Sequence, residues 1–194
     1  TLVAMGGKTL PAELVASYVG HGVRDLIGSS LVASAVIGRE NETLDCFRQN
    51  YLEHCLDSTL LFPGVAEMLR SLHEQGLRLA VFTNKPQIYP DRILKGRGIV
   101  HYFTFVLGSD SGFPNKPDPS GTRAILQKLG VMAAQTLMVG DSDVDLKTAQ
   151  NVGMDCALYL NGFTKPEQIL ELRHATRLVF DSFEQVTHLV TQSP

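Results

Sequence analysis

At 194 residues and 44% hydrophobic content, the chain has enough apolar material for one sizeable core and a small satellite unit. A formal net charge of −3 gives no basic footprint for nucleic acid, and no apolar run approaches the ~20 residues of a membrane helix. The N-terminus shows no charged-then-apolar signal pattern, and Cys46, Cys55 and Cys156 match no zinc spacing, so reduced thiols in a cytoplasmic protein are expected.

Residues 9–60 contain no convincing strand. "TLVAMGGKTLP" reads as the end of a helix, with Leu2 and Met5 at helical spacing and Gly6 and Gly7 as its stop. "LPAELVASYVGHG" places Pro11 at a first helical position, followed by Leu14, Val15 and Tyr18 at helical spacing. Further helices are expected over "VRDLIGSSLV" and over "ETLDCFRQNYLEHCLD", where Leu44, Phe47, Tyr51 and Cys55 share a stripe.

Across 61–194 the rhythm changes. Short β-branched or aromatic runs, "LRLAVFT", "YFTFVLGSD", "TLMVGD", "CALYL" and "TRLVF", read as strands. Helical patterns separate them, several closed by glycine, and "DSFEQVTHLV" ends the chain with Asp181 and Glu184 spaced as a capping box. Alternating strands and helices predict a doubly wound parallel sheet, an α/β fold covered on both faces. A helical domain, 1–60, precedes this core domain, 61–194.

In such sheets ligands bind beyond the carboxyl ends of the strands. After the first strand stands "TNKP": Thr83 and Asn84 either hold a phosphate oxygen or merely cap the next helix. After the second comes "FPNKPDP", whose prolines stiffen the loop around Lys116; its ammonium either neutralises a bound phosphoryl group or is a solvated charge. After the third comes "VGDSDVD". Its aspartates sit at positions 1, 3 and 5 of an EF-hand loop, but Leu146 and Val152 occupy the places that need glycine and glutamate, so that reading fails. Asp141 and Asp145, one helical turn apart, are instead expected to face a hard cation, with Asp143 a helix-start or surface charge.

Taken in order, "VFTNKP", "NKPDP" and "VGDSDVD" resemble motifs two, three and four of the haloacid dehalogenase superfamily, most closely its phosphoglycolate phosphatase branch. The likeness extends through "FPGVAEMLRSLHEQG" and "YVGHGVRDL", the latter similar to the small helical cap of that family. The resemblance implies a Rossmann-like core and a Mg²⁺-dependent phosphatase that works through an aspartyl-phosphate on a small phosphorylated metabolite, 2-phosphoglycolate being favoured. It implies that Thr83 and Asn84 cradle the phosphoryl group and that Lys116 balances its charge. Asp141 would bind Mg²⁺, and Asp145 would support the metal shell or Lys116. Arg24 and His21 in the cap would meet the substrate, although Arg24 reads equally well as a surface helix charge. A monomer or homodimer is expected, with no nucleic-acid or membrane partner.

One part of the pattern is lacking. The family's first motif, DxDGT at the end of a central first strand, supplies the nucleophile, and no DxDGT occurs in these residues. The expectation is that the strand and its aspartate lie outside them, and that the 194 residues alone bind Mg²⁺ poorly and turn nothing over. A non-catalytic binding protein is the alternative; a pyrophosphatase or sugar-phosphate phosphatase is another. A receiver-like signalling domain would need a phosphoacceptor aspartate after a middle strand, and the helical insert argues against it.

Overall fold

The computed structural model describes residues 1–20 and 22–191. His21 lies outside the described residues. The chain divides into two compact units, Thr1–Thr59 and Leu60–Pro194.

The first unit is helical, with α1 (Ala12–Ala16), α2 (Val23–Ala33) and α3 (Glu40–His54). Its core joins Ile27 and Leu31 of α2 to Leu44 of α3, with Leu2, Val36 and Phe47 packed around them. Residues 1–7 close as a helix C-terminus does. The Gly7 N–H reaches the Leu2 carbonyl at 2.8 Å, the Gly6 N–H reaches Val3, and Gly6 takes φ 80°. The helix after Pro11 is shorter than its periodicity suggests. Pro11 is the N-cap rather than the first helical residue. After Ala16 the bonds tighten to i→i−3 at Tyr18 and Val19, while the Ser17 hydroxyl donates to the Leu14 carbonyl.

In the second unit the order is α4 (Val65–Glu74), β1 (Leu79–Phe82), α5 (Ile88–Gly96), β2 (Phe103–Leu107), α6 (Pro119–Leu129) and β3 (Leu137–Gly140). These are followed by α7 (Asp143–Gln150), β4 (Asp155–Tyr159), α8 (Pro166–Glu171), β5 (Leu178–Phe180) and α9 (Phe183–Thr191). All strand pairs are parallel, and every expected strand is present. Period-two alternation splits β1 and β4 between two cores. On β4, Cys156 and Leu158 face Leu146, Ala149 and Ile169 of α7 and α8, whereas Ala157 and Tyr159 face Phe180, Phe183 and Val186. On β1, Ala80 and Phe82 pack with Ile125 and Leu129 of α6, whereas Leu79 and Val81 pack with Leu69 of α4 and Leu94 of α5. Helices thus cover both faces, as expected for a doubly wound α/β fold.

The strands form two ladders, β1–β2 and β3–β4–β5, and among the described residues no backbone pairing joins β1 to β3. Burial follows this division. β4, paired on both sides, is buried at four of its five residues, while all four residues of β1 are only half-buried. Val139 in β3 is 40% exposed. Strands β1 and β3 have the burial of edges, not of the middle of a sheet.

The last helix is capped one residue later than its sequence suggests. Gln185, not Glu184, reaches back, its Oε1 accepting from the N–H groups of Asp181 and Ser182. With Ser182 just outside the helix, Gln185 occupies the third helical position, where a capping side chain can reach.

Candidate active site

The segments that follow β1, β2, β3 and β4 meet through side-chain hydrogen bonds. Thr83 directly follows β1. Its N–H bonds the Leu107 carbonyl at 3.0 Å, extending the β1–β2 ladder, and its Oγ1 accepts the Lys85 N–H at 3.1 Å. Neither Thr83 nor Asn84 caps α5, whose N-cap is Gln87. Lys116 stands after β2 on a cis Lys116–Pro117 peptide. Its ammonium bonds Asp145 Oδ1 at 2.6 Å and lies 5.8 Å from the centre of the Phe82 ring, with the side chain 14% exposed. It is not a solvated loop charge.

Beyond β3, the three aspartates have separate surroundings. Asp143 lies at the surface, paired with Lys147 at 2.7 Å. Asp145 is buried, and both of its carboxylate oxygens are engaged by protein donors. Oδ1 takes the Lys116 ammonium; Oδ2 takes the Ser142 hydroxyl at 2.6 Å and the Asp141 N–H at 3.1 Å. Burial opposes ionisation of Asp145, but the Lys116 charge and these bonds outweigh it and hold the carboxyl below its usual range. Asp141 shows the reverse. Burial pushes its carboxyl up, helped by the Asp145 charge and only partly offset by the Phe163 N–H, which donates to Asp141 Oδ2 at 2.7 Å.

Two glycines make room for these carboxylates. A Cβ at Gly140 would collide with the Asp145 carboxylate, and one at Gly162 would collide with that of Asp141. The loop after β4, "NGF", also belongs to the site, through the Phe163 N–H and the space at Gly162. Its signal in the sequence is its place just beyond the carboxyl end of a parallel strand. The cysteine on β4 is no nucleophile: burial, with the Asp145 charge adding to it, pushes the Cys156 thiol up to about 12.

Among the described residues no three of His, Cys, Asp and Glu gather into a metal cage. The donors nevertheless suit one kind of ion. Mg²⁺ retains several waters and takes one or two carboxylates plus substrate oxygens. Asp141, with one oxygen steadied by a backbone N–H and its charge poorly compensated, fits that requirement. Asp145, saturated by donors, fits the role of lysine partner. In the first unit, Arg24 is exposed in the first turn of α2, lining an open hollow with Tyr18, Asp25 and Ser29.

Residues 1–159 match the family model described as haloacid dehalogenase-like hydrolase. The chain is 33% identical to a phosphoglycolate phosphatase of Pseudomonas fluorescens, over 93% of this chain and 67% of that protein. It is 31% identical to one of Colwellia psychrerythraea, over 96% and 84%. Among solved structures, a predicted phosphoglycolate phosphatase from Haemophilus somnus superposes with a TM-score of 0.91 at 28% identity, covering 98% of this chain and 87% of that one.

Proposed function

Because this chain belongs to the haloacid dehalogenase-like hydrolase family, we propose that it is a phosphatase whose substrate is a small phosphomonoester, 2-phosphoglycolate above others, and whose cofactor is Mg²⁺. One observation carries the reading. A continuous line of contacts, Asn84 to Lys116 to Asp145 to Asp141 to Phe163, runs across the carboxyl ends of four parallel strands. Substrate choice is supported by relatives named phosphoglycolate phosphatase.

In this reading the Thr83 hydroxyl and neighbouring turn hold the transferred phosphoryl group, and the Lys116 ammonium offsets its charge. Asp145 keeps that ammonium in place, and Asp141 holds the metal. When bound, Mg²⁺ would screen the phosphate from an incoming anion and stabilise transition-state charge. An aspartate nucleophile of the DxDGT type would give an aspartyl-phosphate, which splits one displacement into two easier ones. A strand bearing that motif would join the two ladders by pairing with both β1 and β3. Such a strand also accounts for the poor burial of these two. Arg24 and His21 are proposed as cap residues that meet the substrate, in a cytoplasmic enzyme acting as monomer or homodimer. Among the described residues no helix is long and apolar enough to cross a membrane.

Release of inorganic phosphate from a panel of esters, with Mg²⁺ and with excess EDTA, tests the proposal. The expected result is Mg²⁺-dependent turnover with the highest kcat/KM for 2-phosphoglycolate. A preference for pyrophosphate or a sugar phosphate would replace the substrate and keep the chemistry. A second reading, a binding protein that retains the fold without catalysis, is favoured by the lack of DxDGT in these residues. Absence of turnover by the intact protein across the panel would select it.

A further inference from the structure

We propose that the Asn84 carboxamide is a positioning group for Lys116, serving the phosphoryl group through that lysine. The inference deepens the phosphatase reading and rests on it. Asn84 Nδ2 donates to the Lys116 carbonyl at 3.1 Å, and Asn84 Oδ1 accepts the Lys116 N–H at 2.8 Å. A single side chain therefore grips both backbone polar groups of one residue, 32 positions away in sequence. Asn84 is only 9% exposed, so a lost partner would leave a buried polar group unsatisfied.

This grip completes a three-point hold on the lysine. Asn84 fixes its backbone, the Phe82 ring lies beneath its head, and Asp145 binds its ammonium. A flexible four-carbon stem tolerates no slack at its root if the charge at its tip is to meet a developing anion. The carboxamide oxygen and one of its amide hydrogens are committed to the Lys116 peptide. Asn84 thus has a role in the site beyond the direct phosphate contact that its place after Thr83 suggests.

A double-mutant cycle with p-nitrophenyl phosphate as probe, on the intact protein with Mg²⁺, separates the two roles. Asn84→Ala is expected to lower kcat about 10- to 100-fold, with KM changed far less, because a displaced charge fails mainly in the transition state. In a Lys116→Ala background the same substitution is expected to cost no further activity. Asn84→Asp, which keeps the acceptor for the Lys116 N–H, is expected to retain more activity than Asn84→Ala, again only while Lys116 is present. It also supplies a second variant should the alanine protein not fold. Losses that multiply in the double variant would overturn the positioning role and leave the phosphatase reading standing. Lys116→Ala with undiminished turnover, or a wild type that releases no phosphate, would overturn both.

Discussion

Around Asp145 three donors converge, whereas the Asp141 carboxylate is held chiefly by the Phe163 N–H. The Lys116 ammonium, the Ser142 hydroxyl and the Asp141 N–H stabilise the Asp145 carboxylate, while Asp141 has the Phe163 N–H against a larger burial penalty. Replacing Asp145 with asparagine would leave the Lys116 charge largely buried without its counter-ion. It should cost about 3 kcal/mol, read from urea unfolding at neutral pH. The sign of the pH dependence follows from the depressed carboxyl. Its stabilisation is present above the unfolded value of about 3.9 and is lost as pH falls through the lower folded value. The difference in stability between wild type and Asp145→Asn should therefore shrink below about pH 4. A pH-independent difference would mean that the pair contributes through packing alone. Sequence spacing brought Asp141 and Asp145 into view together, because residues four apart share a helix face. It could not divide their roles, which depend on Lys116, 29 positions away from Asp145 in sequence.

Helix α4 links the two ladders through its apolar face. Val65 and Met68 contribute to the cluster around Leu69 and Leu94 beside β1 as well as to that around Tyr159 and Phe180 on β4 and β5. Truncating one such side chain weakens both clusters. Met68→Ala is expected to destabilise the protein by about 2–3 kcal/mol in urea unfolding with an unchanged slope, and a change below ~0.5 kcal/mol would contradict the bridging role. Most elements were legible because their periodicity is local: β4 alternates between two cores, and four helices close on left-handed glycines, Gly76, Gly98, Gly130 and Gly153. The misread ends have local causes too. Pro11 stops one residue short of entering α1, and the cap of α9 depended on which of two adjacent acceptors, Glu184 or Gln185, could reach back.

For the whole molecule, the α/β class and its parallel strands followed from alternation alone. The interruption of the sheet between β1 and β3 did not, because strand pairing is a long-range property that no run of residues encodes by itself. Nor did the committed carboxamide of Asn84 or the collision-free approach at Gly162, which arise only when separate loops meet. Those loops meet in one proposed phosphate-handling site, with Asp141 as its proposed metal carboxylate. The most direct test is phosphate release from 2-phosphoglycolate by the intact protein, wild type against Asp141→Asn, titrated with Mg²⁺. Wild-type release should rise with Mg²⁺ and saturate, while the variant should fall at least about a hundredfold. Equal, Mg²⁺-responsive turnover in Asp141→Asn would contradict the assignment.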